Sequence, residues 1–401
     1  MTDNKKLSNY YKKASLYIKI SKFAVILLFL VFALSCVFVF RKDITVENIQ
    51  LLAKFITLDG ASTHYSDEFS INAKDDSDVF MLRDNLAIVS NNNISLYDLS
   101  GHKMFSYNYS LSVPAASHDD HYILVYDIGG KEATVFNSFS KIKSMKLEHP
   151  IYAAEIKNDY IAFVTGNSVS RCQLLVYEFD NQKKDYVLVY SKNFNDFINS
   201  VSLSENGRYA MVSSVSSESG NYKCSLTVYD TESSSSDAVA SYMTDSELPI
   251  DVNLYTSGIE SFSVTDSSII FLDKKFESHN IFKFNQSKVD NYYLSNDGIV
   301  ITERNNLSGN SMKITLMAFD GSIIYECNVP DEVYDIALGS DVIYALGRNG
   351  VYKYSTSDET PEDYEMYPLG AKMNSIVCDT ENNCYLLSNT LFSKVTFSKG
   401  K

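Results

Sequence analysis

The densest cluster of metal-capable side chains in this 401-residue chain is His118-Asp-Asp-His121. Two imidazoles flanking two carboxylates would suit a divalent metal, provided that further ligands completed a tetrahedron or octahedron. No neighbouring residue supplies them. The tetrapeptide falls where one apolar strand gives way to the next, so it reads as a solvated turn. Lys74-Asp-Asp-Ser-Asp78 is acid-rich but lacks the Asp-x-Asp-x-Asp-Gly spacing of a calcium loop, and reads as a polar loop. Gly129-Gly130 is isolated and fits a hairpin turn better than a phosphate cradle. There is no Gly-x-Ser-x-Gly elbow, and six scattered histidines make no recognisable triad. Fifty acids would supply carboxylate pairs at any spacing, so they do not point to glycoside hydrolysis. The expectation is a protein that is not an enzyme, with no catalytic or metal residue, no cofactor and binding residues unknown.

Cysteines and insertions give further leads. Cys172 and Cys224 stand at equivalent places, in Arg-Cys-Gln-Leu-Leu-Val-Tyr and Lys-Cys-Ser-Leu-Thr-Val-Tyr, and read as small core residues. Cys378 and Cys384 flank a short polar hairpin, a spacing that permits a disulfide without demanding one. Two polar insertions, Ser213–Tyr222 and Arg304–Ser311, both contain Ser-Gly-Asn and occupy the same hairpin of two repeats. Thr231–Asp237 extends another loop. Such loops carry binding when they gather on one face, or are simply tolerated. The chain has 29 tyrosines and no tryptophan. Many tyrosines must fill the core in tryptophan's place, and exposed ones would make amphipathic anchors for protein or sugar.

The elements behind these residues are short strands. An apolar run follows a polar turn at Asn85, His121, Asp159, Arg208, Ser268, Gly298, Asp341 and Asn383, a mean period near 43 residues. A second strand ends in an aromatic before a polar residue: Leu96-Tyr97-Asp98, Val135-Phe136-Asn137, Val176-Tyr177-Glu178, Val228-Tyr229-Asp230, Ala318-Phe319-Asp320 and Val351-Tyr352-Lys353. The aromatic is expected to fill the wedge between neighbouring sheets, and the acid to open a turn. A period of about 40–45 residues is that of a four-stranded propeller blade, and favours a propeller over paired β-sandwiches. The fold class is therefore all-β, a propeller of about eight blades. Spacings of 49, 60 and 30 residues between 159 and 298 leave seven open. A strand near Glu68–Ala73 would complete the last blade.

Phe23 to Phe40 is an uncharged apolar run of eighteen residues. As a helix it spans roughly 27 Å, about the hydrocarbon thickness of a bilayer. Six lysines and one acid precede it, which predicts an uncleaved anchor with the N-terminus in the cytoplasm. A lipobox at Ala33-Leu34-Ser35-Cys36 is the weaker alternative, because apolar residues continue beyond Cys36. The reading divides the chain into a Lys-rich tail (1–22), a transmembrane helix (23–40), a stem with an amphipathic helix over Thr45–Ile56 (41–65) and a propeller (66–401). From residue 41 on, 29 basic residues face 49 acids, a balance of −20. That surface excludes nucleic acid as a partner.

The Lys-rich tail, the single anchor, the stem Arg41-Lys-Asp-Ile-Thr-Val-Glu-Asn-Ile-Gln and blades such as Val201-Ser-Leu-Ser-Glu-Asn-Gly-Arg-Tyr-Ala-Met-Val resemble domain of unknown function 5711. The resemblance implies a membrane-anchored, propeller-like protein of Clostridia-type Gram-positive bacteria, and carries no catalytic residue. The repeats are also similar to WD40-like and quinoprotein-like blades, without their tryptophans. The expected function is an extracytoplasmic binding or scaffold module, with partners among envelope proteins or glycans. The alternatives are a lyase or hydrolase using the central channel, and a surface sensor.

Overall fold

The computed structural model describes residues 68–397, except 72, 74–76, 83, 139, 219–220, 234–236, 245–246, 286–290, 296–297, 306–310 and 358–362, together with 21–23, 25, 27–32 and 35. The chain divides into units 1–64 and 65–401. In the first unit the described residues are helical, and their apolar side chains, from Phe23 to Phe32, are exposed. No helix among the described residues is long and apolar enough to cross a membrane. The rest of the predicted span, and the stem helix over Thr45–Ile56, lie outside the described residues.

The second unit is an eight-bladed propeller of four-stranded antiparallel sheets. Blades 1 to 7 run consecutively over residues 78–108, 114–146, 151–194, 197–243, 249–283, 291–329 and 333–368. Blade 8 takes three strands from 375–394 and its outermost from Glu68–Ser70. Glu68, Phe69 and Ser70 pair with Ser393, Phe392 and Leu391. The Phe69 ring lies 4.7 Å from that of Phe392. The N-terminal strand thus closes the ring as expected, so that a folded blade joins the two ends of the unit.

The apolar runs seen in the sequence are second strands in seven blades. These strands are buried on both sides because each is sandwiched between neighbouring sheets, which gives continuous rather than alternating hydrophobicity. The exception corrects the reading. Ser268–Leu272 is the third strand of blade 5, and its second strand is Ser261–Thr265. Ser-Phe-Ser-Val-Thr alternates with small polar residues and escaped notice. The spacings of 60 and 30 arise from this slip, not from a missing blade.

One apolar cluster fills each of the eight junctions between blades. The repeated aromatics occupy them as predicted, each packing against the preceding blade: Tyr97 on blade 8, Phe136 on blade 1, Tyr229 on blade 3 and Tyr352 on blade 6. In blade 6 the strand stops at Met317, and Phe319 reaches the junction from beyond it, stacked 5.0 Å from Tyr255. Asp98 and Asp320 open turns through their carboxylates, and Gly101 and Gly321 adopt the positive φ that those turns require. Buried tyrosines tie their hydroxyls to neighbouring backbone and turns, as Tyr385 does to Asp379 in a turn and Tyr354 to the Asn328 carbonyl of blade 6's outermost strand. A core tyrosine can do this where phenylalanine cannot.

Candidate functional site

The innermost strand of each blade has one edge with no ladder partner, and its free N–H groups face the central channel. Side chains from adjacent blades satisfy several of them, forming a polar girdle. Between blades 2 and 3 the Ile156 N–H donates to Ser117 Oγ (3.1 Å). Between blades 3 and 4 Glu155 accepts from Ser202 Oγ (3.2 Å) and from the Leu203 N–H. Ser202 in turn accepts the Leu254 N–H of blade 5 (3.0 Å). Asp251 of blade 5 accepts Ser200 Oγ of blade 4 (2.9 Å) and the Tyr292 hydroxyl of blade 6 (3.2 Å). Asp335 of blade 7 accepts Ser375 Oγ (2.5 Å) and the Ile376 N–H (2.9 Å) of blade 8.

Burial sets the electrostatics of this wall. Desolvation raises the Glu155 carboxyl from the usual 4.5 to about 7, against the opposing pull of Lys157 and two hydrogen bonds. Its side chain keeps some access to the channel, yet protein crowds it on all sides, and the desolvation wins. Asp335 is likewise raised by burial, against hydrogen bonds from Ser375, Ile376 and Ile336. His118 stands at the far end of its innermost strand, stacked on Phe80 at 3.9 Å; although part of its surface is open to solvent, desolvation by the packed protein around its ring lowers its pKa, against the pull of Asp119 and Asp120. Chemically, the wall can hold a proton near neutrality at Glu155. Asp251 and Asp335 are engaged in joining blades.

The residues singled out in the sequence are not brought together. The tetrapeptide 118–121 splits: His118 stacks in the channel, while Asp119 Oδ1 accepts the N–H groups of His121 and Tyr122 (2.7 Å each). Among the described residues no three His, Cys, Asp or Glu side chains are grouped to hold a metal. Asp78 opens the innermost strand of blade 1, and residues 74–76 lie outside the described set. Gly129, at φ 77°, makes the expected hairpin turn. Cys172 and Cys224 are buried in third strands, and all five described cysteines are free. Cys378 and Cys384 face each other as direct cross-strand partners. The two Ser-Gly-Asn segments do share the second-to-third-strand hairpin of blades 4 and 6. The first is not a loop, however: its ladder continues to Glu218 opposite Asn221. Residues 306–310 and 234–236, within the other two segments, lie outside the described set.

Sequence reasoning missed a feature of the upper face, where the innermost strands begin. In blades 3, 4, 5 and 7 those strands carry a bulge near their start, at Tyr152, Asn199, Ile250 and Tyr334. A bulge breaks the in-out alternation and re-aims one side chain. Tyr152, Ile250 and Tyr334 are thereby exposed, by 36%, 46% and 46%. Tyr152 lies over Gly166, where any added Cβ would meet its hydroxyl at 2.9 Å, and its ring stands 5.8 Å from that of Phe197, which is also exposed.

Residues 61–394 match the family described as "Family of unknown function (DUF5711)". The chain belongs to that family. No curated protein sequence matches it. Two similar solved structures are BamB from Moraxella catarrhalis (TM-score 0.51, 12% identity) and Sqt1 from Saccharomyces cerevisiae (TM-score 0.53, 11% identity). Each comparison covers 81% of this chain and 98% of the other. At such identities the likeness extends to the propeller fold alone. For this DUF5711 member the fold and the family are thereby fixed, and the site rests on its own residues.

Proposed function

We propose that this DUF5711 protein is a membrane-anchored binding module whose propeller is displayed outside the cytoplasm and docks a protein of the cell envelope. The observation that carries the binding reading is the division of labour just described. The carboxylates Glu155, Asp251 and Asp335 hold neighbouring blades together, while large apolar side chains at the upper rim have no such duty and face solvent. Exposed aromatic and aliphatic groups on a rigid scaffold are the usual anchors of protein recognition. The anchor rests on the Phe23–Phe40 run and on the lysines before it.

Protease digestion of intact protoplasts, with photocrosslinkers on the upper and lower faces, tests this reading. Digestion of the propeller with a cytoplasmic control intact, and crosslinks to envelope proteins from one face, is the expected outcome. Protection of the propeller would reverse the topology. Crosslinks only to glycan would replace the partner class. A channel enzyme is the second reading, favoured by the elevated Glu155 carboxyl.

A further inference from the structure

Four contacts link the positions that carry exposed apolar side chains in blades 2 to 5 into one arc on the upper face. The Ile128 N–H donates to the Val113 carbonyl (2.8 Å), and Ile128 forms a parallel bridge with Ile151. Tyr152 follows Ile151, and its ring meets Phe197 at 5.8 Å. Two residues on, the Asn199 amide donates to the Pro249 carbonyl (2.5 Å), between Leu248 and Ile250. Val113, Ile128, Tyr152, Phe197, Leu248 and Ile250 are all exposed.

The charges on the channel side of this arc are mostly acidic, while Lys131 and Arg171 stand in the hairpins on its outer side. The innermost strands carry Asp78, Glu155, Asp251 and Asp335 against one lysine, Lys157. Lys157 lies at the opposite end of its strand, where its Nζ donates to the Leu254 carbonyl (2.6 Å). Asp251 directly follows Ile250, and Asp78 is the first residue of its innermost strand, so both stand at the upper mouth. Tyr126, two residues before Ile128, is raised chiefly by burial, against a hydrogen bond with the Ala154 backbone, and further by the charges of Asp251 and Asp78.

We infer that the arc docks a segment of a partner protein in which a lysine or arginine is flanked by apolar residues, the flanks lying on Tyr152 and Phe197 and the cation at the acidic channel mouth. The inference deepens the binding reading above and rests on it. An anionic segment would bring like charge to the mouth, which is disfavoured even though Asp251 already accepts from Ser200 and Tyr292.

The test is selection of random phage-displayed dodecapeptides on the full chain in nanodiscs, followed by affinity measurement with the selected peptides. Lysine or arginine between apolar residues should be enriched. Affinity should fall roughly tenfold or more in Tyr152→Ser/Phe197→Ser, as for a recognition anchor. It should fall less in Asp251→Asn, which keeps an acceptor for Ser200, and should weaken with salt. Unchanged melting temperatures would certify both variants as folded. Acidic or uncharged selected peptides, or affinities unmoved by the double variant, would overturn the inference while leaving a binding module that uses another face. Failure to select any peptide would remove both. Self-association abolished by the double variant would assign the arc to a second copy and overturn the choice of occupant.

Discussion

The channel wall and the upper rim are built on the same innermost strands yet use them in opposite ways. In the wall, polar side chains reach across to the next blade, as Asp335 does to Ser375 and Ile376. At the rim, one to three residues earlier, bulges turn Tyr152, Ile250 and Tyr334 toward solvent. The difference teaches that residue chemistry alone is a poor guide to function here. The carboxylates that look reactive serve first to join blades, and the largest side chains open to a partner are apolar.

The largest effect should come from neither region but from the junctions behind them. Phe136 is fully buried between blades 1 and 2. Phe136→Ala should cost about 3–5 kcal/mol, through lost burial and the cavity left behind. A denaturant titration that found less than about 1 kcal/mol would show the junctions to be softly packed. In the wall, Asp335→Ala strips the Ile376 N–H of its acceptor and should cost roughly 1–3 kcal/mol, with Asp335→Asn costing less. Equal losses in the two variants would mean that charge, not the hydrogen bond, joins blades 7 and 8.

Glu155 sharpens the comparison through pH. Its folded pKa of about 7 exceeds the ordinary 4.5, so the native state holds a proton that the unfolded chain releases. The stabilisation from that proton is complete below about 4.5 and is lost as pH rises through about 7. Glu155→Gln, which mimics the neutral form, should therefore gain stability relative to the wild type between pH 5 and pH 8. Urea midpoints at the two values check the sign. His118, with a lowered pKa, acts the other way, its contribution being lost as pH falls below its usual 6.5, but its solvent exposure makes that contribution small. The smallest effect belongs to the rim: Tyr152→Ser/Phe197→Ser should leave the melting curve within about 0.5 kcal/mol of the wild type, as for surface positions.

Legibility in the sequence followed burial. Second strands are enclosed on both faces, so Tyr-Ile-Leu-Val-Tyr and its counterparts stand out as unbroken apolar runs, and their period gives the blades. The closing strand at Glu68–Ser70 could be placed because a ring needs its last sheet filled. The innermost strands were invisible: Pro-Ala-Ala-Ser-His has neither a continuous run nor a clean alternation, since one edge faces a wet channel. The rim could not be read at all. Tyr152 in Ile-Tyr-Ala-Ala looks like a core position until a bulge shifts the register by one, and a bulge leaves no composition of its own. The girdle was hidden for a different reason, because Ser200 and Asp251 are 51 positions apart and meet only once the ring is built.

The most direct test of this division is a paired denaturation of Asp335→Ala and Tyr152→Ser/Phe197→Ser under identical conditions. A lower unfolding midpoint is expected for the channel variant and an unchanged one for the rim variant. An unchanged channel variant beside a destabilised rim variant would contradict the division, making the rim part of the core and returning the channel carboxylates to the search for chemistry.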